Sequence, residues 1–135
     1  MRESLHLSIR IARPAAEVYA FVRDPANLPS WAAGLSGSIE EREGRWFADS
    51  PMGEVEVRFV EENAYGVLDH DVTLPDGTTV TNPMRVIADR GDCEVVFTVR
   101  QAPGATDEAF EADAAAVRAD LASLKARLEK TTTRR

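Results

Sequence analysis

The sequence predicts an α+β fold: a curved seven-stranded antiparallel sheet, two short helices after the first strand, and a long C-terminal helix packed across the sheet. Three observations carry this expectation. Apolar residues alternate with period two through most of residues 36–101. The breaks in that alternation hold turn-forming residues, including Glu43-Gly44, Met52-Gly53, Tyr65-Gly66 and Pro75-Asp76-Gly77. From Thr106 onward the apolar residues recur at helical spacing instead.

Taken in order, Leu5, Leu7, Ile9 and Ile11 share one face of an opening strand, with His6, Ser8 and Arg10 on the other. Pro14 suits a first helical turn, where its missing N–H would be unpaired anyway. Val18, Phe21 and Val22 then mark a short amphipathic helix over 14–23. Asp24-Pro25 is a second start signal, an N-cap followed by proline. It opens a short helix over 25–33 that Pro29 perturbs and that carries Trp31 near its end. Six strands follow at 36–43, 45–50, 53–62, 66–74, 77–88 and 92–101. Their connections are so short that neighbours must be antiparallel. Pro83 falls inside its strand and predicts a bulge or an edge position. The last element is a helix of about 24 residues, or ~36 Å. Thr106 caps it, Asp107 and Glu108 occupy its positive first turn, and Lys125, Arg127 and Lys130 its last turns. Its stripe of Phe110, Ala114, Val117, Leu121, Leu124 and Leu128 is small-sided in the first half and leucine-rich in the second.

The chain of 135 residues fits one ligand-binding domain over 1–130, with a frayed tail at 131–135. At 44% apolar residues it can build a core without disulfide or metal. The net charge of −7 and scattered basic residues argue against nucleic acid as a partner. One cysteine, Cys93, and two unrelated histidines form no metal-ligand pattern, so neither metal nor cofactor is expected. No stretch has the length of a membrane span, and MRESLHLSIR lacks the features of a signal peptide. The expected setting is the cytoplasm, as a monomer or homodimer.

The stretch Arg-Pro-Ala-Ala-Glu-Val-Tyr-Ala-Phe-Val-Arg-Asp-Pro-Ala-Asn-Leu-Pro-Ser-Trp at 13–31, following the first strand, resembles the opening of START/SRPBCC proteins. These include the polyketide cyclase/dehydrase-like and pollen-allergen-like families. Residues 94–99 and 107–125 resemble small bacterial members of the same superfamily. By element order the resemblance covers nearly the whole chain. It implies a helix-grip fold with a deep cavity between sheet and long helix, suited to lipids, polyketides or other apolar metabolites. Some members are cyclases, aromatases or dehydratases. The superfamily has no shared catalytic motif that maps onto this chain, so no catalytic residue is carried over.

The residues themselves nominate His70. Alternation places it on one face with Leu68, Val72 and Leu74, while Asp69 and Asp71 fall on the other. A cavity-facing histidine titrates near neutrality and can act as acid or base. A structural histidine, bonded to a neighbour, is the competing reading. The other expected wall residues are Phe59, Met84, Val95 and Phe97 from the sheet, Trp31 near the mouth, and Phe110, Ala114 and Val117 from the long helix. Arg85 alternates outward unless a bulge at Pro83 reverses it. Tyr19, Trp46 and Tyr65 are further candidate cavity aromatics. Cys93 reads as a small buried hydrophobe. Two functions follow: binding of a small apolar molecule, or a cyclase, aromatase or dehydratase acting on a polyketide-like substrate with His70 as acid/base. A protein-interaction module is a third class, with no feature of the sequence pointing to it.

Overall fold

The computed structural model describes residues 4–35 and 37–130. Its elements are β1 (Ser4–Ile11), α1 (Ala15–Arg23), β2 (Ile39–Arg42), β3 (Arg45–Ser50), β4 (Gly53–Phe59), β5 (His70–Thr73), β6 (Thr79–Asn82), β7 (Met84–Asp89), β8 (Asp92–Arg100) and α2 (Asp107–Lys130). Between α1 and β2 lie two 3₁₀ turns, Pro25–Ser30 and Ala33–Leu35, in place of the single helix expected over 25–33. Pro29 lies inside the segment and lacks an N–H that an α-helix would need there, whereas Pro25 stands at the first position, where none is needed. Asp24 still caps the first turn, accepting the Ala26 N–H at 3.0 Å. The expected frayed tail and Ser36, where the second strand was expected to begin, lie outside the described residues.

One expectation is corrected. Among the described residues the strands number eight and form two sheets, β1-β8-β7 and β2-β3-β4-β5-β6, rather than one sheet of seven. Pro83 is the cause. It divides the strand expected at 77–88 into β6 and β7, because proline has no N–H to give to a ladder. The sheets remain stitched around the break. Pro83 accepts the Thr98 N–H at 3.0 Å, and the Leu68 and Val86 N–H groups bond Met84 and Gly66 carbonyls at 2.8 and 2.9 Å. The Met84 N–H goes to the Asp69 carboxylate at 2.8 Å, so a side chain substitutes for a strand partner. Gly66 is required here: its φ is +73°, and a Cβ would lie 2.2 Å from the Val86 carbonyl oxygen.

The first strand follows its alternation, with Leu7 and Ile11 buried and His6, Ser8 and Arg10 exposed. It pairs with β8 over its full length. The C-terminal half of α2 lays Leu121, Leu124 and Leu128 into the core. Polar staples fix that half against the end of β1. Lys125 Nζ donates to the Arg10 carbonyl and Glu129 accepts the Ala12 N–H, both at 2.7 Å. Thr106 caps the other end through the Ala109 N–H at 3.0 Å. Among the described residues no helix is long and apolar enough to cross a membrane.

Leu121 is 2% exposed. Leu121→Ala is therefore expected to destabilise the fold by ~2–5 kcal/mol, through lost transfer energy and a residual cavity. Urea denaturation of the two proteins measures this. A loss under ~1 kcal/mol, the size of a surface change, would contradict the packing of α2.

Candidate functional site

The grip encloses a cavity of about 440 Å³ between α2, the 3₁₀ turns and the concave face of the five-stranded sheet and β8. That volume falls in the ordinary range for small-molecule sites. Val55 and Val57 of β4, His70 and Val72 of β5, and Phe97 and Val99 of β8 form the sheet wall. Leu28, Trp31, Ala32 and Leu35 close one side, and Ala116, Val117, Asp113 and Asp120 of α2 close another. Val80 and Met52 lie at the rim, 46% and 66% exposed. Two other clefts, of about 570 and 520 Å³, lie outside the grip. The first runs along α1 past Tyr19 and Tyr65, and the second holds Arg23, Arg45, Glu56 and Arg58 beside Trp46. Neither includes His70.

Of the eleven wall residues expected from the sequence, five line this cavity: Trp31, His70, Val72, Phe97 and Val117. Leu68, Met84, Val95, Phe110 and Ala114 are buried in the core outside the lining. Phe59 stands behind His70, with ring centroids 4.7 Å apart. The small helix residue in the lining is Ala116 rather than Ala114. Two positions along a helix turn the side chain by roughly 200°, so the alanine-rich stretch alone does not say which alanine meets the void. Arg85 lies on the outer side and pairs with Asp69 at 2.5 Å. The Tyr19 hydroxyl accepts the Asn63 N–H at 2.9 Å. Tyr65 is 83% exposed. Cys93 is buried in the core, where desolvation raises its thiol pKa and disfavours the nucleophilic thiolate.

His70 is the buried polar residue of the lining. It opens β5, across the ladder from Phe59 on one side and Asn82 on the other. Phe97 meets its ring edge-on at 5.8 Å. Nδ1 lies 3.0 Å from the Leu68 carbonyl. A carbonyl only accepts, so that nitrogen carries the proton. Desolvation lowers the His70 pKa, outweighing the Leu68 carbonyl and the more distant Asp69 and Asp71, which act the other way. The imidazole is therefore neutral at pH 7, and Nε2 is a bare acceptor with no hydrogen-bond partner among the described residues.

Asp120 and Asn82 are among the wall residues that the sequence reading did not name. Asp120 accepts the Ala33 N–H at 3.1 Å, and desolvation raises its pKa. Its signal was position: it follows Ala116 and Val117 by four and three residues, which puts all three on one helix flank. Asn82 precedes Pro83 and faces His70 across the β5–β6 ladder. It could have been found by carrying the alternation of Val80 one step further. Among the described residues no group of three or more His, Cys, Asp or Glu is placed to hold a metal.

Comparison with known proteins agrees with this architecture. A family described as polyketide cyclase / dehydrase and lipid transport matches residues 2–129. Among solved structures, an uncharacterized protein from Bacillus thuringiensis superposes with a TM-score of 0.70 at 14% identity, covering 91% of this chain and 96% of its own. The Zhui aromatase/cyclase from a Streptomyces superposes with a TM-score of 0.67 at 21% identity, over 98% and 96% of the two chains. The di-domain ARO/CYC protein BexL gives 0.72 at 20% identity over 98% of this chain, which spans 48% of BexL. At such identities the likeness is one of fold. No curated protein matches the chain by sequence.

A depressed His70 pKa has two measurable consequences. NMR titration of the imidazole is expected to give a midpoint below the ~6.5 of free histidine. Folding is also linked to it. The unfolded chain takes up a proton near pH 6.5 that the folded chain refuses until lower pH. The His70 contribution is thus intact above pH ~6.5 and is lost as pH falls toward the folded-state value. His70→Gln should flatten that part of the stability profile. An unchanged slope between about pH 5 and 6.5 would place the imidazole in water.

Proposed function

The chain belongs to the polyketide cyclase / dehydrase and lipid transport family, and from that premise we propose that it binds a small apolar molecule bearing a hydroxyl group inside the grip. The supporting observation is the neutral imidazole of His70, with a bare Nε2, in a lining otherwise dominated by Val, Leu, Ala and aromatic side chains. Apolar walls supply affinity through area removed from water. One hydrogen bond adds only ~0.5–1.5 kcal/mol net, enough to orient a ligand but too little to hold it. A ligand hydroxyl fits this acceptor, because it brings the proton that Nε2 lacks.

A second reading, a cyclase, aromatase or dehydratase acting on a polyketide-like molecule, is favoured by one further observation. Asp120, with its raised pKa, borders the same cavity as His70. Two titratable groups with opposite displacements are the minimal set for moving a proton on and off a bound molecule. In this reading His70 Nε2 takes the proton first, since it is the atom with a free lone pair. Asp120 is then the second titratable group on the wall.

Binding is expected to respond to cavity volume and to His70 separately. An environment-sensitive apolar dye should bind the wild type and lose at least tenfold in affinity to Val117→Trp, which fills the wall. Naphthol should bind more tightly than naphthalene, and His70→Leu should remove that preference while leaving naphthalene almost unaffected. Fluorescence titration reads all of these. Equal affinity of a folded Val117→Trp variant for the dye would move the site out of the grip. Turnover of a hydroxyketone that stops in both His70→Leu and Asp120→Asn would favour the enzyme over the carrier.

A further inference from the structure

We propose that Asn82 is a specificity-determining residue beside His70, and that the pair reads a ligand whose hydroxyl and carbonyl oxygens lie together at one end of an otherwise apolar molecule. This deepens the reading of the grip as a binding site and rests on it.

Asn82 ends β6 directly opposite His70 of β5. Opposed residues of antiparallel strands project to one face of the sheet, with Cβ atoms ~4.5–5.5 Å apart. The face of His70 is the inner one: Val72 and Val80, the next opposed pair on that face, line the same cavity. Asn82 lines it too and is half-buried. Pro83 helps to hold this placement, because the residue before a proline is kept extended.

The Asn82 carboxamide is free because its local partner is taken. An asparagine at a turn ordinarily bonds the backbone two residues on. Here that N–H belongs to Met84, and the Asp69 carboxylate holds it at 2.8 Å. Pro83, between them, has no N–H to offer. Among the described residues the Asn82 side chain makes no hydrogen bond, to His70 or to any other group. Arg100 and Asp113 also line the cavity, but both are exposed and water can serve them. His70 gives its one N–H to the Leu68 carbonyl and turns an acceptor to the ligand. The Asn82 amide supplies the donor that the imidazole lacks. Since the two side chains are cross-strand neighbours, the ligand groups they meet must adjoin. A pure hydrocarbon leaves both unmet, and a simple alcohol satisfies the imidazole alone. A hydroxyketone with its oxygens on neighbouring carbons satisfies both.

The test uses hydroxyacetylnaphthalene, propionylnaphthalene and the two analogues in which a methylene replaces the carbonyl oxygen. The four share one shape and differ in whether each position carries oxygen or carbon. Fluorescence titration gives a carbonyl-to-methylene affinity ratio and a hydroxyl-to-methyl ratio for each protein. In Asn82→Leu the first ratio is expected to fall about two- to tenfold, the range of one net hydrogen bond, and the second to change by less than twofold. His70→Leu should do the reverse. In nitrogen–proton spectra of the wild type, the Asn82 side-chain amide resonances should move with hydroxyacetylnaphthalene and not with its methylene analogue. That measurement decides alone if Asn82→Leu does not fold. A carbonyl-to-methylene ratio unchanged in Asn82→Leu, or amide resonances indifferent to the carbonyl, would overturn the assignment while leaving the binding site intact. Failure of all four compounds to bind wild type would overturn the site and the assignment together.

Discussion

Pro83 contributes a carbonyl to the sheet but no N–H, and the geometry of the grip follows from that asymmetry. A continuous strand at this place would carry an unbroken ladder along a gently twisted sheet. With the donor missing, β6 stays with the five-stranded sheet while β7 turns to join β1 and β8. The break also leaves the Met84 N–H without a strand partner, and Asp69 takes it up while holding Arg85 on the outside. His70 is the next residue after Asp69, so the carboxylate that repairs the break also fixes the imidazole facing the other way. The corner of the sheet and the polar floor of the cavity are one construction.

The polar chemistry inside the grip is sparse, and burial decides what it can do. A histidine in water would divide its time between charge states near neutral pH. Here the Leu68 carbonyl selects the protonated nitrogen, and desolvation keeps the other one bare. Asp120 shows the same force acting on a group of opposite charge. Burial disfavours the charged form in both, so the histidine is displaced downward and the carboxylate upward. The surface ion pairs are a separate matter. Arg10–Asp89 and Arg42–Glu54 are half-exposed and add little to stability.

Much of this was legible in the residues, and the gaps have physical causes. Period-two alternation recovered β1, β3, β4 and β8 because one face of each is buried and the other wet. It identified His70 as inward for the same reason. Pro83 was recognised as a disturbance, but a disturbance can be a bulge, an edge or a division between sheets. Only the long-range pairing of Thr98 and Leu68 around it selects among them. The helix stripe gave Leu121, Leu124 and Leu128 as core, yet the cavity wall is set by how α2 is rotated about its axis. That rotation depends on Lys125 and Glu129 meeting the end of β1, more than a hundred residues away in sequence. Ala116 and Asp120 consequently sit where a stripe drawn through Ala114 does not reach. The second short helix became two 3₁₀ turns, with Pro29 inside the first of them.

The long helix divides its labour along its length. Leucines at 121, 124 and 128, stapled to the end of β1, anchor the fold, whereas Ala116 and Val117 border the void. Val117 and Leu121 lie one turn apart and should couple, whereas Leu128 is about 16 Å farther along the axis than Val117, so changes at Val117 and Leu128 should add with little coupling. The void can then be enlarged, narrowed or re-shaped by substitutions that leave the anchoring half untouched. A lineage built on this scaffold can exchange one guest molecule for another in small steps, with every intermediate still a folded protein.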